Sequence, residues 1–184
     1  MNKVVILYST TDGHTVKISQ RIKSVLENNG HDVMLLEISS SSRFELSGFD
    51  KIIIGASIRY GKHKQEVVDF VSKNSELLEN KITAFFTVNV VARKPNKNTP
   101  NTNPYLKKFL SNVPWKPDKL AVFAGKIEYK KYSLLDRMII RLIMFMTNGP
   151  TNPNTVVEFT DWEKVEEFGR AVGELHENTH NHGV

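Results

Sequence analysis

The chain has 184 residues, 40% hydrophobic and 24% charged, which fits one globular domain and excludes a disordered or fibrous chain. It has no cysteine, which excludes a disulfide scaffold, an iron–sulfur centre and any thiolate zinc site. The net charge of +5 is uneven: residues 93–141 hold 12 basic and three acidic side chains, a local +9, and the rest of the chain sums to −4. Val4 to Tyr8 is a β-branched run ending in a Ser/Thr/Gly cluster, and reads as a strand buried on both faces. No basic and apolar leader precedes it, so a cytoplasmic chain is expected. Ile18, Ile22, Val25 and Leu26 follow at helical spacing, with Gly30 as a stop. Val33 to Ile38 predicts a second strand, trailed by the serine run Ser39 to Ser42. Lys51 to Gly55 predicts a third strand, Gln65 to Val71 a helix and Ile82 to Val88 a fourth strand. From Arg93 to Pro104 the chain is rich in Pro and Asn and reads as a long loop.

Tyr105 to Leu110 predicts a short helix capped by Asn103 or Thr102, with Pro104 near its first position. Leu120 to Ala124 is the fifth strand. Leu134 to Met146 is a very apolar helical stretch whose polar residues, Asp136, Arg137 and Arg141, form a narrow stripe. It is too short to span a bilayer, which takes about 20 residues. Val156 to Phe159 is a further short strand. Thr160 and Glu163 have the spacing of a capping box for a last helix carrying Val165, Phe168, Val172 and Leu175. The polar tail, 177–184, is expected to be mobile. His176, His180 and His182 are read as part of that end rather than as metal ligands.

Strands alternating with helices, the strands hydrophobic on both faces, predict an α/β doubly wound fold with a parallel sheet. Five strands favour the order 2-1-3-4-5 in a single domain, 1–184, with residues 126–155 as a helical insert near strand 5. In such a sheet the ligand lies at the carboxyl ends of the strands. The first of those ends is Ser9-Thr10-Thr11-Asp12-Gly13-His14-Thr15. Hydroxyls, a glycine and a helix N-terminus together suit a terminal phosphate, with His14 contributing its backbone. No Gly-Lys-Ser/Thr follows, so this is not a P-loop, and the three spaced glycines of a dinucleotide fingerprint are missing. The basic section suits an anionic partner such as a carboxylate, a phosphate or a membrane surface.

Tyr8, Thr10, Gly13 and Thr15 fall on the phosphate-loop pattern of the flavodoxins, which this sequence resembles. Ser19 departs from the small alanine usual in the following helix. Three later segments resemble one branch in particular, the menaquinone-dependent protoporphyrinogen IX dehydrogenases of bacterial haem synthesis. They are Gly55-Ala56-Ser57-Ile58-Arg59-Tyr60-Gly61, the run Val88-Asn89-Val90-Val91-Ala92-Arg93-Lys94-Pro95, and Thr160-Asp161-Trp162. The resemblance extends to about Gly173.

It implies a flavodoxin-like fold and FMN as cofactor, with the first loop on the phosphate. Ala56 to Gly61 and Asn89, Val90, Val91 and Ala92 would flank the isoalloxazine, with Tyr60 a candidate to stack on the ring. It also implies protoporphyrinogen IX as substrate, menaquinone or ubiquinone as electron acceptor, and no nucleic-acid partner. Arg59, Arg93 and Lys94 are expected to orient the two substrate propionates. No general base stands out. The insert and Lys126, Lys130 and Lys131 before it are expected to touch the anionic inner face of the cell membrane peripherally. Two alternatives stay open, a flavodoxin-type electron carrier and an NAD(P)H–quinone reductase. The basic, apolar insert argues against the carrier.

Overall fold

The computed structural model describes residues 1–43 and 45–176. Strand β1 (Lys3–Ser9) carries the alternation that defines the fold. Val5 and Leu7 enter one core cluster and Val4 and Ile6 the other, all fully buried. A strand hydrophobic on both faces has to be covered on both. One cover is α1 (His14–Asn28) with Ile18, Ile22 and Leu26, packed beside the last helix. Next come β2 (Asp32–Glu37), β3 (Lys51–Arg59) and the two-residue β4 (Lys62–His63). Helices α2 (Gln65–Lys73) and α3 (Ser75–Glu79) place Val67, Val71 and Leu78 on the opposite face, ahead of β5 (Ile82–Asn89). Helix α4 (Pro104–Ser111) adds Leu106 and Phe109 there, and β6 (Lys119–Ala124) closes the sheet.

The five parallel strands run β2-β1-β3-β5-β6, which is the expected 2-1-3-4-5 order once the β4 hairpin is set aside. Asn103 caps α4 as expected, accepting from the N–H groups of Tyr105 and Leu106. The third strand is longer than predicted. Ala56 to Arg59, read as loop, continues β3 because β1 and β5 still flank it, Ser9 opposite Ala56 and Ser57 opposite Val88. It then turns at Tyr60-Gly61 into β4, with φ of +50° and +75° at the two turn residues, the positive values that a two-residue hairpin needs. Gly55 is required for packing: a Cβ there would lie 2.0 Å from the ring of Phe86.

Residues 126–158 build a unit beside the sheet. Strands β7 (Lys126–Glu128) and β8 (Val156–Glu158) pair antiparallel, so the predicted strand at Val156 belongs to this small ribbon and not to the main sheet. Between them lies α5 (Leu134–Met146), with the predicted bounds and Ser133 as its cap. Helix α6 (Trp162–Gly173) ends the described fold. Its cap is Asp161, which accepts from Lys164 N–H, and not the expected Thr160. Thr160 is drawn away because its hydroxyl donates to Ala124 O at 2.8 Å. Lys51, fully buried at the start of β3, donates to Val172 O and Gly173 O and so closes the carboxyl end of α6. His180 and His182 lie outside the described residues.

Candidate cofactor and substrate site

The carboxyl ends of β1, β3 and β5 converge on a cleft that α5 roofs. Thr10, Asp12, His14 and Thr15 come from the first loop, Ser57 to Gly61 from β3 and its turn, and Asn89, Val90 and Val91 from the end of β5. These were expected. The structure adds Tyr105, Lys126, Tyr132 and, from the roof, Ile140, Ile143 and Met144. The roof residues share one face of α5 with Asp136, at steps of four, seven and eight. That spacing was the available sequence signal. The cleft is half open, with a volume of about 140 Å³.

Several predicted residues support the site from behind. Ala56 and Ala92 are buried in the core. The Ser9 hydroxyl donates to Glu66 Oε1 at 2.6 Å, and Thr10 Oγ1 accepts the Gly13 N–H at 3.0 Å. Thr11 lies 3.4 Å from the Ser57 hydroxyl on the exposed rim. Gly13 takes φ +78° immediately before α1 and lines a neighbouring cavity with Lys17, Lys126 and Lys131. Helix α1 has no side-chain cap and no acid in its first turn, so its terminal N–H groups face that loop uncompensated.

Three buried polar atoms at the cleft have no hydrogen-bond partner among the described residues: Thr15 Oγ1, His14 Nδ1 and Asn89 Nδ2. Such atoms are rare, because each costs roughly 1–3 kcal/mol when left unpaired. The protonation of His14 follows from its neighbours. Thr160 gives its one hydroxyl proton to Ala124 O, so at 2.6 Å it accepts from His14 Nε2–H. The neutral ring therefore carries its proton on Nε2 and presents a bare acceptor at Nδ1. Burial pushes the His14 pKa down, with Lys17 and Lys126 adding to the effect and Glu158 opposing it. His14, expected to offer only its backbone, thus has an unpartnered side-chain acceptor at the cleft. A free hydroxyl, helix N–H groups and a free amide lining one cleft fit a phosphate-bearing flavin such as FMN.

Arg59 is tightly held. Its Nη1 donates to both carboxylate oxygens of Asp12 at 2.9 Å, and its Nη2 lies 2.7 Å from Asp136 Oδ2. The guanidinium lies 5.2 Å from the centre of the Tyr132 ring and 5.6 Å from that of Tyr60. The Tyr60 hydroxyl donates to the other oxygen of Asp136. Arg93 departs from expectation. Its Nη2 donates to Thr147 O and Oγ1, both at 2.8 Å, and its Nη1 to Val90 O. It lines a separate cavity with Asp161 and Lys164, because the end of α5 offers it acceptors that the cleft does not. Lys94 begins the next turn, outside the cleft lining.

Helix α5 is apolar on two sides: Ile140, Ile143 and Met144 face the cleft, and a second apolar set faces out. Its polar stripe faces the protein: Arg137 donates to Tyr129 O and Tyr132 O, and Arg141 to Thr151 O. Its apolar residues Leu134, Leu135, Met138, Leu142, Phe145 and Met146 face outward, 59–78% exposed. Among the described residues no helix is long and apolar enough to cross a membrane.

Comparison with known proteins agrees with this geometry. The flavodoxin domain family matches residues 5–154. The solution structure of two-electron reduced Megasphaera elsdenii flavodoxin superimposes with a TM-score of 0.56 at 14% identity, covering 94% of this chain and 99% of that one. The chain belongs to the flavodoxin domain family, and within it to the group of the protoporphyrinogen IX dehydrogenases (quinone). The protein of that name from Escherichia coli strain K12 is 41% identical over 173 residues, 94% of this chain and 96% of the relative. The one from Leishmania major is 37% identical over 167 residues, 90% of this chain and 72% of the relative.

Proposed function

We propose that this chain oxidises protoporphyrinogen IX to protoporphyrin IX with FMN and passes the electrons to a respiratory quinone, menaquinone or ubiquinone. One observation carries it: three unpartnered buried polar atoms line the strand-end cleft of a chain 41% identical, over 94% of its length, to a protoporphyrinogen IX dehydrogenase. FMN, when bound, supplies the two-electron chemistry between macrocycle and quinone. The chain's own residues bind, orient and exclude water. Thr15 Oγ1 and the first N–H groups of α1 hold the phosphate, with Lys17, Lys126 and Lys131 at its rim. Asn89 Nδ2 donates to the ring system, and Val90 and Val91 flank it. Ile140, Ile143 and Met144 keep water from the reacting edge. Arg59, whose Nη1 is held by Asp12, offers Nη2 to a substrate propionate.

The outward apolar face of α5 supports a peripheral seat on the cytoplasmic face of the membrane, where a lipid quinone resides. Each square ångström of apolar surface buried there contributes about 25 cal/mol. Lys130, exposed beside the helix, adds attraction to anionic lipid. Arg137 and Arg141 contribute less than their charge suggests, since backbone carbonyls already hold them.

Anaerobic mixing of the FMN-loaded protein with protoporphyrinogen IX, followed by flavin absorption, tests the reaction. Bleaching, and recolouring on addition of a quinone, is expected. A flavin that bleaches only with a reductase protein would identify a carrier, and bleaching by NAD(P)H alone would identify an NAD(P)H–quinone reductase.

A further inference from the structure

We propose that Asp136 is an internal stand-in for a substrate carboxylate: it occupies Arg59 and clips α5 over the cleft until an incoming carboxylate replaces it. The inference rests on the proposal that Arg59 receives a propionate. Three features of the geometry carry it. Arg59 serves two carboxylates at once, Asp12 through Nη1 and Asp136 through Nη2. Two anions on one cation leave a surplus negative charge, so one of them is exchangeable. Asp12 belongs to the first loop, whose position β1 and α1 fix. Asp136 rides on α5, a helix in which Met144 is the buried residue and whose outer face meets solvent.

The second feature is the lever. Asp136 stands one to two turns before Ile140, Ile143 and Met144, which roof the cleft. The cavity beneath them, about 140 Å³, is smaller than the roughly 300–1,000 Å³ of most ligand sites. A tetrapyrrole reaches the strand ends only if α5 lifts. A ligand that brings its own carboxylate to Arg59 Nη2 exchanges one ion pair for another and leaves no cation unpaired. A neutral ligand of the same shape has to break the pair without replacement.

The third feature is Tyr60. It holds φ +50°, which side-chain-bearing residues seldom adopt, and its hydroxyl reaches the second oxygen of Asp136. The turn therefore holds the carboxylate by the oxygen that Arg59 leaves free. Asp136 is a positioning residue whose effect falls on entry and affinity.

The test uses the FMN-loaded protein, protoporphyrin IX and its dimethyl ester. Hydrogen exchange of the wild-type amides over residues 134–146 is expected to quicken with the diacid and to stay unchanged with the diester. Asp136→Asn is expected to tighten protoporphyrin IX binding roughly 3- to 10-fold by raising the open fraction, and to lower KM while kcat stays level. Asp136→Glu restores the wild-type values. Equal exchange with diacid and diester overturns the inference, and this comparison needs no variant. Equal affinity in the wild type and Asp136→Asn also overturns it. A wild-type protein that binds neither porphyrin overturns the substrate proposal itself, a result distinct from binding without a latch.

Discussion

Thr15 illustrates how one atom serves ligand binding at the expense of the empty fold. Its hydroxyl is fully buried and unpartnered, a cost to the fold that a phosphate held as proposed would offset. Thr15→Val is therefore expected to act with opposite signs. FMN affinity should fall by about 1.5–3 kcal/mol, the value of a hydrogen bond to a charged group, and the unliganded protein should gain about 1 kcal/mol. FMN titration and urea unfolding of the apo-protein read the two effects. His63 gives a second prediction. It packs against the stacked rings of Phe85 and Phe109 and bonds Thr87 Oγ1, and burial pushes its pKa down to about 3. The folded protein holds it neutral, whereas the unfolded chain protonates it near 6.5. Its stabilisation is therefore complete above about pH 6.5 and lost as pH falls toward 3. Urea unfolding should show about 2 kcal/mol less stability at pH 4.5 than at pH 7 from this residue, and His63→Gln should flatten that part of the profile.

At the scale of elements, α5 decides how the molecule meets a surface. Met138 and Leu142 are 70% and 59% exposed and touch little of the core, so Met138→Asp with Leu142→Asp should leave Tm within about 2 °C. The same pair should abolish sedimentation with vesicles containing anionic lipid. Lys130→Glu should weaken sedimentation on anionic vesicles alone. If the parent protein ignores both anionic and neutral vesicles, the membrane seat is wrong and the face meets a protein instead. The bounds of α5 were legible because its apolar run and Ser133 cap are local. Its orientation was not. Arg137 and Arg141 look like a water-facing stripe until carbonyls at Tyr129, Tyr132 and Thr151 are brought beneath them, which needs tertiary contact. The same reason hid Arg93, whose partner Thr147 is 54 residues away. That Ser9 to Thr15 would stand between a strand end and a helix start was readable because the loop is built from neighbours in sequence. β3 was cut short because Gly55 and Ala56 look like punctuation, although the Phe86 ring across the sheet explains the glycine.

For the whole molecule, the strand order was accessible because runs such as Val4 to Leu7 need cover on both sides, and crossover handedness leaves few topologies. The charge asymmetry has less effect than its +9 suggests. Lys126 and Lys131 share Glu128, and Arg93, Arg137 and Arg141 are bound to backbone oxygens. The order in which the covers arrive also matters for biogenesis. Helix α6 seals Ile18, Ile22 and Leu26, and the buried ammonium of Lys51 ties the start of β3 to the carbonyls at the end of α6. A ribosome delivers those carbonyls about 120 residues after the lysine. Until then α1 alone covers that side of the nascent sheet, and the Lys51 amine lacks both of these acceptors.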